Sequence, residues 1–374
     1  MRILVAHLVG LERSGGMSRL MGRAHDELER AGHEVDYLSA DDVGTATRGA
    51  AGRFLFPWAV RKKVVEAVRQ RRPYDVVNVH EPHGAAVAML RGGQDGTAVV
   101  AMTHGVEQRG WEMSLAHSET RPSWKTRCVY PASSLWQSRL ALRCADHVIC
   151  LNTQDRQFLA ERFGVDSARV TRVTPGADTI FGETATARRY GPPKRLLFAG
   201  TWIPRKGTHI LSAAFDRLCS AGATLQLDVL GAGVPEERVL GDFSAAVRDR
   251  VRVVTTRTDR ETAAVMAAAD IFVLPSLFEG TPLTLIEAMW SALPIVTTAT
   301  AGMRDVVRDE HNGLLTAPGD VESLVRSLEK LTSDPGLCRA LGTAAHKTAA
   351  THFTWSRTAD AFESAYRAAR AAHV

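Results

Sequence analysis

The sequence predicts an α/β protein with two domains, and three observations carry that expectation. Short apolar runs recur along the chain, among them RILVA, DVVNVH, AVVAM, RLLFA, LQLDVL and DIFVLP. Such runs, without polar alternation, read as strands buried on both faces of a parallel sheet. Segments with helical patterning lie between them, so strand and helix alternate. Finally, 374 residues suffice for two domains of ordinary size, and the two halves look alike without any solenoid repeat.

Composition narrows the classes further. With 45% hydrophobic and 23% charged residues, the chain has the make-up of a soluble globular protein. A formal charge of +5 admits anionic ligands or an acidic membrane surface, and no nucleic-acid partner is expected. The five cysteines (Cys128, Cys144, Cys150, Cys219 and Cys338) form no C-x-x-C pair, which argues against a disulfide framework or a zinc site. No D-x-D pair suggests a metal. No apolar stretch reaches transmembrane length, and the opening MRILVAHLV lacks the pattern of a signal peptide. A cytoplasmic protein is expected.

Arg2 to Val9 reads as the first strand, followed by GLERSGG (residues 10–16), a helix from about Met17 to Ala31, and a strand from Glu34 to Leu38. The glycine pair Gly15 and Gly16 suits either a close backbone approach to a ligand or a plain tight loop. Residues 53–72 carry seven basic side chains against Glu66 alone, with Phe54, Phe56 and Trp58 at the start. Such a helix can pack its apolar face on the sheet or lie on an anionic bilayer. Tyr74 to His80 and Ala98 to His104 read as buried strands. Their carboxyl ends, where open α/β sheets bind ligands, deliver His80 and His104.

Glu107 to Trp136 reads as irregular. Its Trp111, Trp124, Tyr130 and Trp136 could stack on a sugar or apolar acceptor, or pack against the domain. A helix from Ser138, the strand in ADHVICLN, a helix from Asp155 to Phe163 and a strand from Val170 to Thr174 complete this half, with Thr184 to Pro193 as linker.

Lys194 to Ala199 opens the second half as a strand. GTWIPRKG (residues 200–207) follows and sets Arg205 and Lys206 between a strand end and the next helix. Together they supply a fork and a point charge suited to a diphosphate. Strands are expected at residues 225–233, 251–255 and 294–299.

The central stretch is ADIFVLPSLFEGTPLTLIEAMWSA, residues 269–292. Asp270 to Pro275 reads as a buried strand and Phe278 to Thr281 as a turn. Thr281 then caps a helix that Pro282 opens. The N–H groups of Leu283, Thr284 and Leu285 form an anion site by helix geometry. Glu279 precedes the helix, and Glu287 lies roughly 7 Å beyond the cap. An anion site between two carboxylates suits a ligand hydroxylated at both ends, because carboxylate oxygens accept charge-assisted hydrogen bonds. A nucleotide sugar is such a ligand.

The E-x7-E pair Glu279 and Glu287, the P-S-x-x-E-G ending at Gly280 and the E-A-M ending at Met289 closely resemble the retaining glycosyltransferases of family 4, the group 1 glycosyltransferases. The resemblance spans nearly the whole chain and is strongest between Gly200 and Met289. It extends to Gly15 and Gly16, to the following A-G-H-E-V, to T-H-G at residues 103–105, and to Lys206 and Gly207. There are departures. Thr201 stands where the family has arginine, Pro175 replaces an asparagine, and residues 300–305 replace a G-G-x-x-E.

The resemblance implies the GT-B fold, two Rossmann-like domains facing across a cleft. Residues 1–183 would bind the acceptor, with a helix over 355–374 crossing back, and residues 184–354 would bind the donor. It implies retaining transfer of a hexose from a UDP- or GDP-linked sugar to a sugar, lipid or small-molecule hydroxyl. No metal or separate cofactor is needed, and the leaving phosphate takes the acceptor's proton. Glu279 would position the hexose, with His104 beside it. Lys206 and Arg205 would neutralise the diphosphate, and Glu287 would hold the ribose. Gly15, Gly16, Gly280, Thr281, Leu283 and Thr284 would complete the donor contacts. A lipid acceptor would bring residues 53–72 to the inner membrane face.

Two rival readings keep the fold: a nucleotide-sugar epimerase or hydrolase, and a non-catalytic partner subunit. The aromatic segment after Glu107 argues against the first. Intact Glu279, Lys206 and Glu287 argue against the second.

Overall fold

Two parallel six-stranded sheets, each flanked by helices, produce the alternation read from the sequence. The computed structural model describes residues 1–7, 15–43, 52–85, 96–117, 123–185 and 187–373. They form two units, residues 1–174 with 355–374, and residues 175–354.

In the first unit the strands are β1 (Arg2–Ala6), β2 (Glu34–Leu38), β3 (Val76–His80), β4 (Ala98–Met102), β5 (His147–Cys150) and β6 (Val170–Arg172). Their order across the sheet is β2-β1-β3-β4-β5-β6, all parallel. Ile3 lies opposite Val35 on one side and Val76 on the other, so both edges of β1 are paired. β3 and β4 are buried at every position, which explains their unbroken apolar runs. Each such valine or leucine contributes about 1.5–3 kcal/mol by leaving water. The order reverses between β1 and β3, and that is where an open sheet leaves a crevice at its carboxyl end.

The helix Trp355–His373 belongs to this unit. It buries Ala359, Phe362, Tyr366 and Ala369 at three- and four-residue spacing. Asn78 Nδ2 donates to the Tyr366 hydroxyl at 2.8 Å, tying this helix to β3.

The second sheet contains β7 (Arg195–Ala199), β8 (Gln226–Leu230), β9 (Val251–Val254), β10 (Ile271–Leu274), β11 (Ile295–Thr298) and β12 (Leu314–Thr316). Its order is β12-β11-β10-β7-β8-β9, with the reversal between β7 and β10.

Two sequence expectations change here. Residues 175–183 join the second unit rather than the first: Phe181 is buried in that unit's core, and the Ala177 N–H donates to Phe353 O at 3.2 Å. Glu107 to Trp136 is largely helical, as Glu107–His117, Trp124–Tyr130 and a π turn at Pro131–Leu135 that runs into Trp136–Cys144. Pro131 lacks an N–H, and here it widens the helix into the π turn instead of ending it.

The basic stretch forms the helix Gly52–Arg69, and Phe56, Val60, Val64 and Ala67 pack into the core. Lys63 Nζ donates to Tyr37 O, and Arg72 pairs with Glu34. Leu55 and Trp58 remain exposed. The Phe54 side chain, residues 8–14 before Gly15, and residues 118–122 of the aromatic segment lie outside the described residues. Among the described residues no helix is long and apolar enough to cross a membrane.

Candidate active site

In the second unit, the loops after β7 and β10 leave the two strands that flank the order reversal. That neighbourhood brings together side chains 73 positions apart. Lys206 Nζ lies 2.8 Å from Glu279 Oε1, and Arg205 Nη1 lies 3.3 Å from Oε2. Ser276 Oγ donates to Oε1 at 3.3 Å. Burial pushes the Glu279 carboxyl up, but Lys206 and Arg205 more than offset it and hold it below its ordinary range. The acid is therefore ionised at neutral pH.

Backbone contacts lock the two loops. Leu277 N–H donates to Arg205 O and Arg205 Nη1 to Phe278 O, both at 2.9 Å. Thr284 Oγ1 donates to Ala199 O at 3.1 Å. Gly207 sits at φ +70°, where a Cβ would lie 2.0 Å from Pro275 O. Only glycine permits that approach, so the K-G pair is a packing requirement as well as a charge. Gly302, at the start of the helix Ala301–Val306, is pressed against Gly280 so closely that a Cβ would stand 1.8 Å from its carbonyl oxygen.

The helix after Glu279 differs from the sequence reading at its first turn. It spans Leu283–Trp290, and Pro282, not Thr281, is the cap, in extended conformation with ψ 125°. Pro282 O accepts from Leu285 N at 3.2 Å, so that N–H is engaged. The helix has no acceptor within itself for the N–H groups of Leu283 and Thr284, which keep the anion-binding geometry. Gly280 and Thr281 are buried beside them, and Glu287, the fifth helical residue, is 1% exposed.

The first unit places a different group at its own order reversal. His7 follows β1, His80 ends β3 and His104 lies just past β4. His104 Nε2 is 2.9 Å from His80 Nδ1, and the His7 and His80 rings lie 5.5 Å apart. Burial, then His7, pushes His104 down to about 3; burial, then His104, drives His80 well below its usual value. His80 and His104 are therefore neutral imidazoles at pH 7, able to give or take one hydrogen bond per nitrogen.

Beside them, burial pushes Glu81 up to about 7, although Ser138, Thr103 and the Glu107 N–H all favour its charged form. Gly15, at the head of the helix Gly16–Arg30, is extended (φ −98°, ψ 153°), a conformation any residue adopts. Among the described residues no three His, Cys, Asp or Glu side chains form a metal-binding set.

Sequence reasoning gave no role to Gly302, Glu81 and Ser138, and carried Ser276 only as part of the P-S-x-x-E-G motif. Gly302, Glu81 and Ser138 act through partners brought close by the fold, and a serine or glycine alone carries no periodic or charge signal. His80 was visible only as a strand-end histidine.

Known proteins share both halves. The family model described as Glycosyltransferase Family 4 matches residues 14–181, and the model described as Glycosyl transferases group 1 matches residues 193–334. The D-inositol 3-phosphate glycosyltransferase of Salinispora tropica is 28% identical over 365 residues, covering 91% of this chain and 74% of its own length. In structure, sucrose-phosphate synthase from Thermosynechococcus elongatus superposes with a TM-score of 0.76 at 22% identity, covering 98% of each chain. Anabaena HepE, solved in complex with UDP and glucose, gives 0.69 at 17% identity, covering 97% of this chain and 98% of its own. The chain belongs to the group 1 glycosyltransferases, glycosyltransferase family 4, and is built on the GT-B fold.

Proposed function

We propose that this glycosyltransferase moves a hexose from a nucleoside diphosphate sugar to an acceptor hydroxyl with retention at the anomeric carbon. The observation that carries the reading is the pairing of buried Glu279 with Lys206 and Arg205 beside the first turn of Leu283–Trp290. A diphosphate seated on the Leu283 and Thr284 N–H groups competes with Glu279 for Lys206 and Arg205. The two cations then offset charge as it develops on the leaving group. Glu279, released from part of that pairing, accepts from sugar hydroxyls, and Glu287 accepts from the ribose.

In the reaction the bond from the anomeric carbon to the diphosphate breaks, and the acceptor oxygen bonds to the same face. The acceptor's proton leaves on the diphosphate. These residues need no metal for that step. The acceptor binds the first unit, where His104, held by His80, offers a neutral imidazole to a hydroxyl. Gly15 and Gly16 lie at the head of the helix after β1 and complete the donor contacts. The donor base to test is uridine or guanosine; HepE, which shares the fold, is solved with UDP.

NMR of the product's anomeric centre tests the reading. An α-linked donor giving an α-linked product is expected. A β-linked product would refute retention, and a free epimerised sugar formed without acceptor would refute transfer.

A second proposal concerns membranes. Exposed Leu55 and Trp58 stand beside Arg61 and Lys62 on the helix Gly52–Arg69, a composition suited to an anionic bilayer at the inner membrane face. Pelleting with phosphatidylglycerol vesicles should fall with added salt and with Arg61→Glu/Lys62→Glu. Pelleting unchanged by both would refute the contact.

A further inference from the structure

The second unit has a recess of about 620 Å³ at the amino ends of β10 and β11, the end of the sheet opposite to Glu279. Its walls carry Arg188, Arg189, Tyr190, Arg339, Thr343 and His346, and among the described residues no carboxylate lines it.

Some of these cations are accounted for by the fold. Arg188 donates from Nε to Ser291 O at 2.8 Å, from Nη1 to Ala269 O at 2.7 Å and from Nη2 to Met266 O at 2.8 Å. His346 Nδ1 donates to Trp290 O at 2.6 Å, and the Tyr190 hydroxyl to Ala292 O at 2.7 Å. These bonds satisfy carbonyls at the ends of the helices Asp259–Ala268 and Leu283–Trp290. Asp270, the acid nearest in charge to Arg188, accepts from the Lys194 and Arg195 N–H groups and does not line the recess.

Arg189 and Arg339 are different. Among the described residues neither side chain makes a hydrogen bond or an ion pair, yet both line the recess beside the fixed charge of Arg188. Three guanidinium groups around one opening, with no acid on its walls, repel one another, and a bound anion relieves that repulsion. Guanidinium forks match tetrahedral oxyanions bidentately. We propose that this recess is a second anion site, which takes a small multivalent anion of the phosphate class. Arg189 and Arg339 grip it, and Arg188 stands behind them as a pinned charge. The site is independent of the donor reading, since it uses none of its residues.

Pyrophosphate, titrated into the full chain at constant ionic strength, is the probe. The readout is the ring resonances of His346, assigned with His346→Gln. We expect a saturable shift in the wild type and in Lys206→Ala. The same shift should need at least about tenfold more pyrophosphate in Arg189→Gln/Arg339→Gln, whose two changes lie on exposed side chains that the fold does not use. The proposal fails if the His346 resonances stay still, or if the double arginine variant responds as the wild type does. It also fails if Lys206→Ala abolishes the response, which would place pyrophosphate in the donor site.

Discussion

The two units share one sheet topology and use its order reversal in opposite ways. At the reversal of the second unit stand a carboxylate and two cations, a set charged throughout neutral pH. At the reversal of the first stand His80 and His104, held neutral by burial, with His7 against them and a carboxyl pushed up to about 7 beside them. A paired charge survives burial only with its partner in place. A neutral imidazole survives with one hydrogen bond. The first arrangement suits a ligand that brings its own charge, and the second suits a hydroxyl.

Glu279→Ala should break the comparison most severely. Transfer should fall roughly 10³-fold, a loss typical of removing a transition-state electrostatic contact, while nucleoside diphosphate affinity stays within a few-fold. Wild-type turnover would remove Glu279 from the site.

Acid should separate the units next. His25, His80, His104 and His147 all have folded values below the ordinary 6.5. Below that pH the unfolded chain takes up protons that the folded chain refuses, so stability is lost as pH falls. Glu81 opposes this, because its folded value lies above its unfolded one and it gains protons first in the folded state. Each group is worth about 1.4 kcal/mol per pH unit, and the first unit should lose roughly 3 kcal/mol per unit from about pH 6.5 to 5. In the second unit Glu279 is depressed. The stability it lends is complete above its unfolded value and is lost only below it, so that unit should hold through the same window. Hydrogen exchange read separately for residues 1–174 and 175–354 checks this. Equal loss in both would contradict it.

The smallest expected effect is at Gly302→Ala. The added carbon meets the Gly280 carbonyl, and the second unit should lose about 1–3 kcal/mol by overpacking. A melt in which that unit is unchanged would show that the helix Ala301–Val306 shifts freely.

The same contrast explains what the sequence disclosed. The meeting of Lys206 and Glu279 was legible because charged residues at fixed offsets from a strand end and a helix start carry a local signal. The alternation of buried strands likewise made the two sheets legible. The cap at Pro282 was displaced by one residue because φ near −65° suits both a helix start and an extended cap. The helices within Glu107 to Trp136 were hidden by two prolines, Pro122 and Pro131, and by scattered aromatics. Glu81 and Ser138, 57 positions apart, meet only through packing.

The most direct test of the donor site is calorimetry of UDP, GDP and ADP against wild type, Lys206→Ala and Glu287→Ala. One nucleotide should bind the wild type and bind each variant at least about tenfold more weakly, since each loses a charge-assisted hydrogen bond. Affinity unchanged in Lys206→Ala, or no nucleotide binding to the wild type, would contradict the account.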